Sequence, residues 1–267
     1  CEEIDDVQRH GLLRRQAGGL AHRLLRPVRV APAQLGQTAD VGDRVVDELF
    51  LHRVAAPAGS GLAIVFRLAF VGRRLGIGRV VALRGDPPEG VDAPYAPHPD
   101  GFTRTDDLVA VAASRGMRVA VSAYPERHPQ SPSFGHDLDV LAAKVDAGAD
   151  HAMTQMFFDN DLFLAYVERV RGRGIDVPIV PGIFPIHSFP AVARFAARCG
   201  ASIPASVARR FEGLDDDPAA THRVAADLAA EQIRHLATNG VGHVHLYTLN
   251  RADLALAVCE RLSLVAA

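Results

Sequence analysis

Apolar residues fall into short blocks along the second part of the chain, and polar stretches of helical spacing separate them. The blocks are RVVALRG (79–85), MRVAVSAYP (117–125), HAMTQMFF (151–158), VPIVPGIFP (177–185) and VGHVHLYTL (241–249). They are rich in Val, Ile, Phe and Tyr and apolar at both alternate positions, as parallel strands buried on both faces are. Between them, LVAVAASRG (108–116) predicts a helix that stops at Gly116. DLDVLAAKVDAGA (137–149) spaces Leu138, Leu141 and Val145 along one helical face and stops at Gly148. DLFLAYVERVRGRG (161–174) does the same with Phe163, Tyr166, Val167 and Val170, and stops at Gly174. Asp217 before Pro218 predicts an N-cap and a first-turn proline, with a helix running to Asn239-Gly240. Strands alternating with helices predict an α/β fold built on a parallel sheet or barrel.

The first 75 residues lack this rhythm. They carry eleven arginines and no lysine, and their Gly, Ala, Pro and His follow neither period. PVRVAP (27–32), VVDELFL (45–51) and LAIVFRLAFV (62–71) are weak strand or helix candidates. A complete barrel would need about three more βα units here, and the length fits. There is no internal repeat.

Bulk properties narrow the class. A chain of 267 residues, 48% hydrophobic, suits one β/α barrel domain spanning 1–267. A formal net charge of −2 gives no global basic field, so neither nucleic acid nor an anionic membrane is an expected partner. No apolar run reaches the ~18–20 residues of a membrane span, and Arg67 interrupts the best candidate. Cys1, Cys199 and Cys259 are odd in number and widely spaced, which predicts a reducing, cytoplasmic setting without disulfides. No signal peptide is recognisable, and a first residue of Cys rather than Met suggests a missing or processed start.

Chemistry gathers at the C-terminal ends of the strand blocks. In order they run into Arg84-Gly85-Asp86-Pro87-Pro88, Tyr124-Pro125-Glu126-Arg127-His128, Thr154-Gln155 with Phe157 and Phe158, Pro181-Gly182-Ile183-Phe184, and Tyr247-Thr248-Leu249-Asn250-Arg251. That rim is where β/α barrels bind ligands. Each signal has a bland alternative. Arg84 and Asp86 would close a turn as a salt bridge, Gln155 would satisfy buried backbone, His128 would be a surface histidine and Phe195 helix core. His243 and His245 alternate on a strand and so cannot share a metal. LGIGRV (75–80) runs into a strand and is no dinucleotide loop. The acidic run at 215–217 reads as a helix cap, and no metal site is expected. Taken together, the five ends suit a polar heteroaromatic ligand, with Asp86 and Gln155 facing its donor edges, Phe195 stacking, and Arg84, His128 and Lys144 facing phosphate or ribose.

ALRGDPP (82–88), YPERHPQS (124–131), DLDVLAAKVDAGAD (137–150), TQMFFDND (154–161), GIDVPIVPGIFPI (174–186), FEGLDDD (211–217) and YTLNRADLALAVCE (247–260) together resemble methylenetetrahydrofolate reductases. The resemblance covers about residues 75–264 in order, while 1–74 lie outside it. It implies a (β/α)8 TIM barrel holding FAD at the C-terminal rim. The implied reaction is reduction of 5,10-methylenetetrahydrofolate to 5-methyltetrahydrofolate by NADH or NADPH, in one-carbon metabolism and methionine supply. Carried over by position, Arg84, Gly85, Asp86, Tyr124, His128, Asp137 and Lys144 fall on flavin-contacting positions. Asp86, Gln155, Phe195 and Arg251 fall on folate positions, and Asp86, Gln155 and Phe195 are the implied catalytic set. A carboxylate such as Asp86 at the flavin N1 edge would make the reduced flavin a stronger reductant and could also accept from the pterin. Phe195 would offer a stacking face to nicotinamide and folate in turn, and Arg251 would meet the folate glutamate. Methylenetetrahydrofolate is thus the expected partner, and a homo-oligomer is compatible.

The family's first-strand F-E-F-F-P-P pattern, with its general-acid Glu, is missing here. So are a T-Y-G and an H-L-T turn; Ala31 and Ser60 fall near the expected places. Val140 and Ala143 replace polar groups on the flavin-binding helix. Residues 1–74 therefore suggest a wrong-frame translation or a degenerate segment, which the other frames of the coding DNA would test. The competing expectations are a homologue without reductase activity and an aldolase-type barrel. For the latter the sole lysine, Lys144, lies on a helix rather than on a strand.

Overall fold

The computed structural model describes residues 48–52, 78–85, 97 and 101–264, the first of these segments as backbone. Six strands lie among them: β1 (Glu48–His52), β2 (Arg79–Leu83), β3 (Arg118–Ala123), β4 (His151–Met156), β5 (Ile179–Ile183) and β6 (His245–Leu246). They form one sheet in the order β1-β2-β3-β4-β5-β6, and every pairing is parallel. Each strand therefore pairs with the one before it. A doubly wound sheet would reverse direction part-way; a β/α barrel does not. The fold is α/β, a TIM barrel of which six strands are described.

Seven helices occur among the described residues: α1 (Thr105–Ala113), α2 (Phe134–Asp146), α3 (Asn160–Gly172), α4 (Phe189–Arg198), α5 (Ala205–Arg209), α6 (Pro218–Thr238) and α7 (Ala252–Arg261). Local sequence sets their ends. Ser133 Oγ accepts from His136 N at 3.1 Å to cap α2, and Asp159 accepts from Asp161 N at 3.0 Å to cap α3. Asp217 accepts from Ala220 N at 2.9 Å, with Pro218 in the first turn of α6, as the sequence predicts. Just past α2, Gly148 sits at φ 110, and a Cβ there would lie 2.7 Å from the Ala113 side chain. The stop is thus both conformational and steric.

The two faces of the sheet pack separately. Val81, Ala120 and Met153, with Leu83 and Val180 against them, fill the inner side. Val80, Ala82, Val119, Val121 and Ala152 meet Leu108, Leu141, Phe163 and Val170 of the covering helices. This two-sided burial is what the continuous apolar blocks predicted.

Some expectations shift. The block 241–249 yields a strand only at His245–Leu246, so His243 lies outside it and the expected alternation of the two histidines does not occur. Among the described residues β6 pairs with β5. α5 and α7 were not anticipated. VVDELFL does contain a strand, and β1 runs parallel to β2 with Glu48 opposite Arg79 and His52 opposite Leu83. PVRVAP, LAIVFRLAFV, Ala31 and Ser60 lie outside the described residues.

Candidate functional site

The rim at the C-terminal strand ends has a charged half and an aromatic half. The charged half is organised by Lys144, on the last turn of α2. Its side chain crosses to β3, where Nζ donates to the Ser122 carbonyl at 3.1 Å and to Ser122 Oγ at 3.3 Å. The residue is only 6% exposed. Burial lowers its pKa to about 8; Asp137 opposes the fall, Arg84 deepens it and Asp106 opposes it. Two cations, Lys144 and Arg84, therefore lie within each other's field at one end of the sheet.

Asp137 opens the same helix and ties down the loop after β3. Its Oδ2 accepts from His128 N at 2.9 Å. His128 Nδ1 accepts from Gln130 N at 3.1 Å, which places the proton of the neutral ring on Nε2. The His128 ring meets Tyr124 edge-on, with centroids 4.7 Å apart. Beneath them Tyr166 is buried; burial raises its pKa, and a hydrogen bond to the Tyr124 backbone partly offsets the rise. Across the rim, Glu126 accepts from Ser202 N at 2.8 Å and joins the same loop to the segment after α4. Arg84 leads into Gly85, which adopts φ 78, and Arg84 Nε donates to the Gly85 carbonyl at 3.3 Å. Asp86 lies outside the described residues, so the expected Arg84–Asp86 turn does too.

The aromatic half is centred on Phe184, just after β5. Its ring lies 5.8 Å from Phe195 of α4 and 6.0 Å from Tyr247, both tilted. Phe195 is half-buried against the core, so it is helix packing on one side and leaves part of its ring exposed. Arg251 is exposed at the N-cap of α7 and shares a small cleft with Phe184, His187 and Tyr247. Gln155 stands on β4, whose neighbours in the sheet are β3 of the charged half and β5 of the aromatic half. It is half-buried, and its Oε1 accepts from Met156 N at 2.9 Å.

The structure thus gathers Arg84, Gly85, Tyr124, His128, Asp137 and Lys144 in one group and Phe195 and Arg251 in another, with Gln155 on the strand between. Sequence reading overlooked Ser122 and the parts played by Tyr166 and Tyr247. Ser122 was accessible in principle, because it follows Ala120 by two and so shares the inner face. Among the described residues no three His, Cys, Asp or Glu side chains converge as metal ligands do. No helix among them is long and apolar enough to cross a membrane.

Comparison with known proteins gives a consistent picture. The family model for methylenetetrahydrofolate reductase matches residues 70–263. The 5,10-methylenetetrahydrofolate reductase of Escherichia coli (strain K12) is 41% identical over 187 residues, covering 70% of this chain and 61% of that protein. A probable methylenetetrahydrofolate reductase (NADH) of Oryza sativa subsp. japonica is 37% identical over 202 residues, covering 71% of this chain and 34% of that protein. The chain therefore spans less than two thirds of the length of these relatives. An uncharacterized Clostridium thermocellum protein, described as binding two copies of 5-methyl-5,6,7,8-tetrahydrofolic acid, overlaps with a TM-score of 0.41 at 14% identity, covering 81% of this chain and 94% of that one. That likeness is too loose to argue from.

Proposed function

Since the chain belongs to the methylenetetrahydrofolate reductase family, we propose that it reduces 5,10-methylenetetrahydrofolate to 5-methyltetrahydrofolate with NADH or NADPH, using FAD. The balance is one hydride to the methylene carbon, cleavage of one of its two C–N bonds, and one proton to the nitrogen released. The observation that carries the reading is the buried Lys144 beside Arg84 at the strand ends. Arg84 works against the charge on Lys144, a dianion shared by the two would offset that, and the diphosphate of FAD is such a group.

FAD, when bound, supplies the hydride-carrying chemistry. This chain's residues bind and orient. Lys144 and Arg84 would hold the diphosphate. Asp137 holds the His128 loop through its backbone N–H, which presents Tyr124 and His128 to the cofactor. Gly85, at positive φ, lets the backbone approach closely. Gln155 offers the folate an acceptor and a donor, and Asp86 accepts from the pterin edge. The partly exposed ring of Phe195 is a platform that nicotinamide and pterin use in turn. Arg251 pairs with the folate glutamate. In this reading the protein acts in the cytoplasm.

Product analysis tests this. FAD-saturated chain incubated without oxygen with methylenetetrahydrofolate and NADH or NADPH is expected to yield 5-methyltetrahydrofolate, one per nicotinamide oxidised. No product with either nicotinamide would contradict the proposal.

A further inference from the structure

The ladder between β4 and β5 is irregular between Met153 and Met156, and Gln155 sits in the irregular stretch. Such a break leaves backbone groups without ladder partners and re-aims side chains. Side chains supply the missing bonds here. Gly182 N donates to Thr154 Oγ1 at 2.9 Å, and the Thr154 carbonyl accepts from Tyr247 Oη at 2.9 Å. Thr154 is fully buried. The ring of Tyr247 passes where a side chain on strand residue 182 would stand. A Cβ on Gly182 would lie 2.6 Å from it and 2.3 Å from the Thr154 carbonyl oxygen. Tyr247, the residue after β6, is therefore locked against β4 and β5, and its hydroxyl ends on the peptide unit shared by Thr154 and Gln155.

We propose that Tyr247 is a positioning residue: its hydroxyl, donated to the Thr154 carbonyl, sets the direction from which Gln155 meets the folate. The peptide plane that accepts this bond includes the Gln155 nitrogen, so rotation of that plane swings the Gln155 Cα–Cβ bond. With the ladder broken, Tyr247 holds the plane, and Thr154 Oγ1 ties the same residue to Gly182 N. The same Tyr247 ring packs on Phe184, which carries Phe195, so one side chain fixes the spacing between the polar and stacking contacts for the substrate. This inference rests on the proposed folate reduction.

The test is a double-mutant cycle in the FAD-loaded protein, read as binding of 5-methyltetrahydrofolate by calorimetry with the flavin held reduced. Tyr247→Phe keeps the ring and removes the bond. It is expected to weaken binding about tenfold in the parent protein and less than about twofold in a Gln155→Ala background. A role confined to packing or stability gives the same loss in both backgrounds, and that result, or no loss in either, overturns the inference. If Tyr247→Phe does not fold, Thr154→Val breaks the other bond at the same bulge and is expected to show the same dependence on Gln155. A parent protein that binds FAD but no folate overturns the functional reading and this inference with it. A parent that binds folate while the cycle is additive overturns the inference alone.

Discussion

At the residue scale, Lys144 carries a cost that its site explains. Its pKa falls from 10.5 unfolded to about 8 folded, a difference worth about 3 kcal/mol. The unfolded chain holds the proton more tightly. The full cost is therefore present below pH 8 and is relieved as pH rises from 8 towards 10.5. Lys144→Met is accordingly expected to stabilise the FAD-free chain at pH 7 by up to about 3 kcal/mol in urea unfolding. It should also weaken FAD binding by at least about tenfold. FAD affinity of the parent should drop as pH rises through 8, because binding a diphosphate requires the charged lysine. A variant with unchanged FAD affinity would remove Lys144 from the site.

Gly182 gives a second residue-scale prediction. Gly182→Ala forces a methyl against the Thr154 carbonyl and the Tyr247 ring. Destabilisation of about 1–3 kcal/mol is expected in chemical unfolding. Lys144, Asp137 and Gln155 were legible in the sequence because each occurs in a long, ordered family pattern. Ser122 was not named, and Tyr166 and Tyr247 were read only as a helix face and a strand end, because what they do depends on partners one strand or helix away. Tyr247 and Thr154 are 93 residues apart in the chain, and no local pattern reports their bond.

At the scale of elements, helices with explicit caps and glycine stops were read well, as for α2, α3 and α6. α6 offers a control at its cap, because Asp217 belongs to neither the charged nor the aromatic group of the rim. Asp217→Ala removes the bond to Ala220 N and should lower stability by about 1 kcal/mol. Turnover of methylenetetrahydrofolate at 25 °C should be unchanged; a parallel loss of turnover would show that α6 reports to the site. The shorter elements escaped for physical reasons. α5 spans only Ala205–Arg209, below the length at which helical periodicity is visible. α7 follows two residues at positive φ, Leu249 and Asn250, so its start is set by an unusual turn rather than by a Ser, Thr or Asp cap. β6 spans only His245–Leu246, too short to be told from its flanks by a period-2 pattern.

At the scale of the whole molecule, alternation of strand and helix revealed the α/β class, and the sequential parallel order together with the family match makes it a barrel. The first 75 residues were hard to read because arginine, glycine, alanine and proline without period 2 or 3.6 leave no amphipathic signal. One of the weak candidates there does hold β1. The family match begins at residue 70, close to the point where the pattern becomes regular. The site groups described above all fall within the matched stretch, and they come from separate strands, loops and helices that the fold brings to one rim.

The central claim is that this rim passes two electrons from a nicotinamide to a folate by way of FAD. The most direct measurement is the visible spectrum of the FAD-saturated chain under anaerobic conditions, taken through the two halves of the reaction in turn. The flavin absorbance is expected to bleach on addition of NADH or NADPH and to return when methylenetetrahydrofolate is added. A chain that cannot be reconstituted with FAD, or a bleached flavin that methylenetetrahydrofolate leaves reduced, would contradict the account.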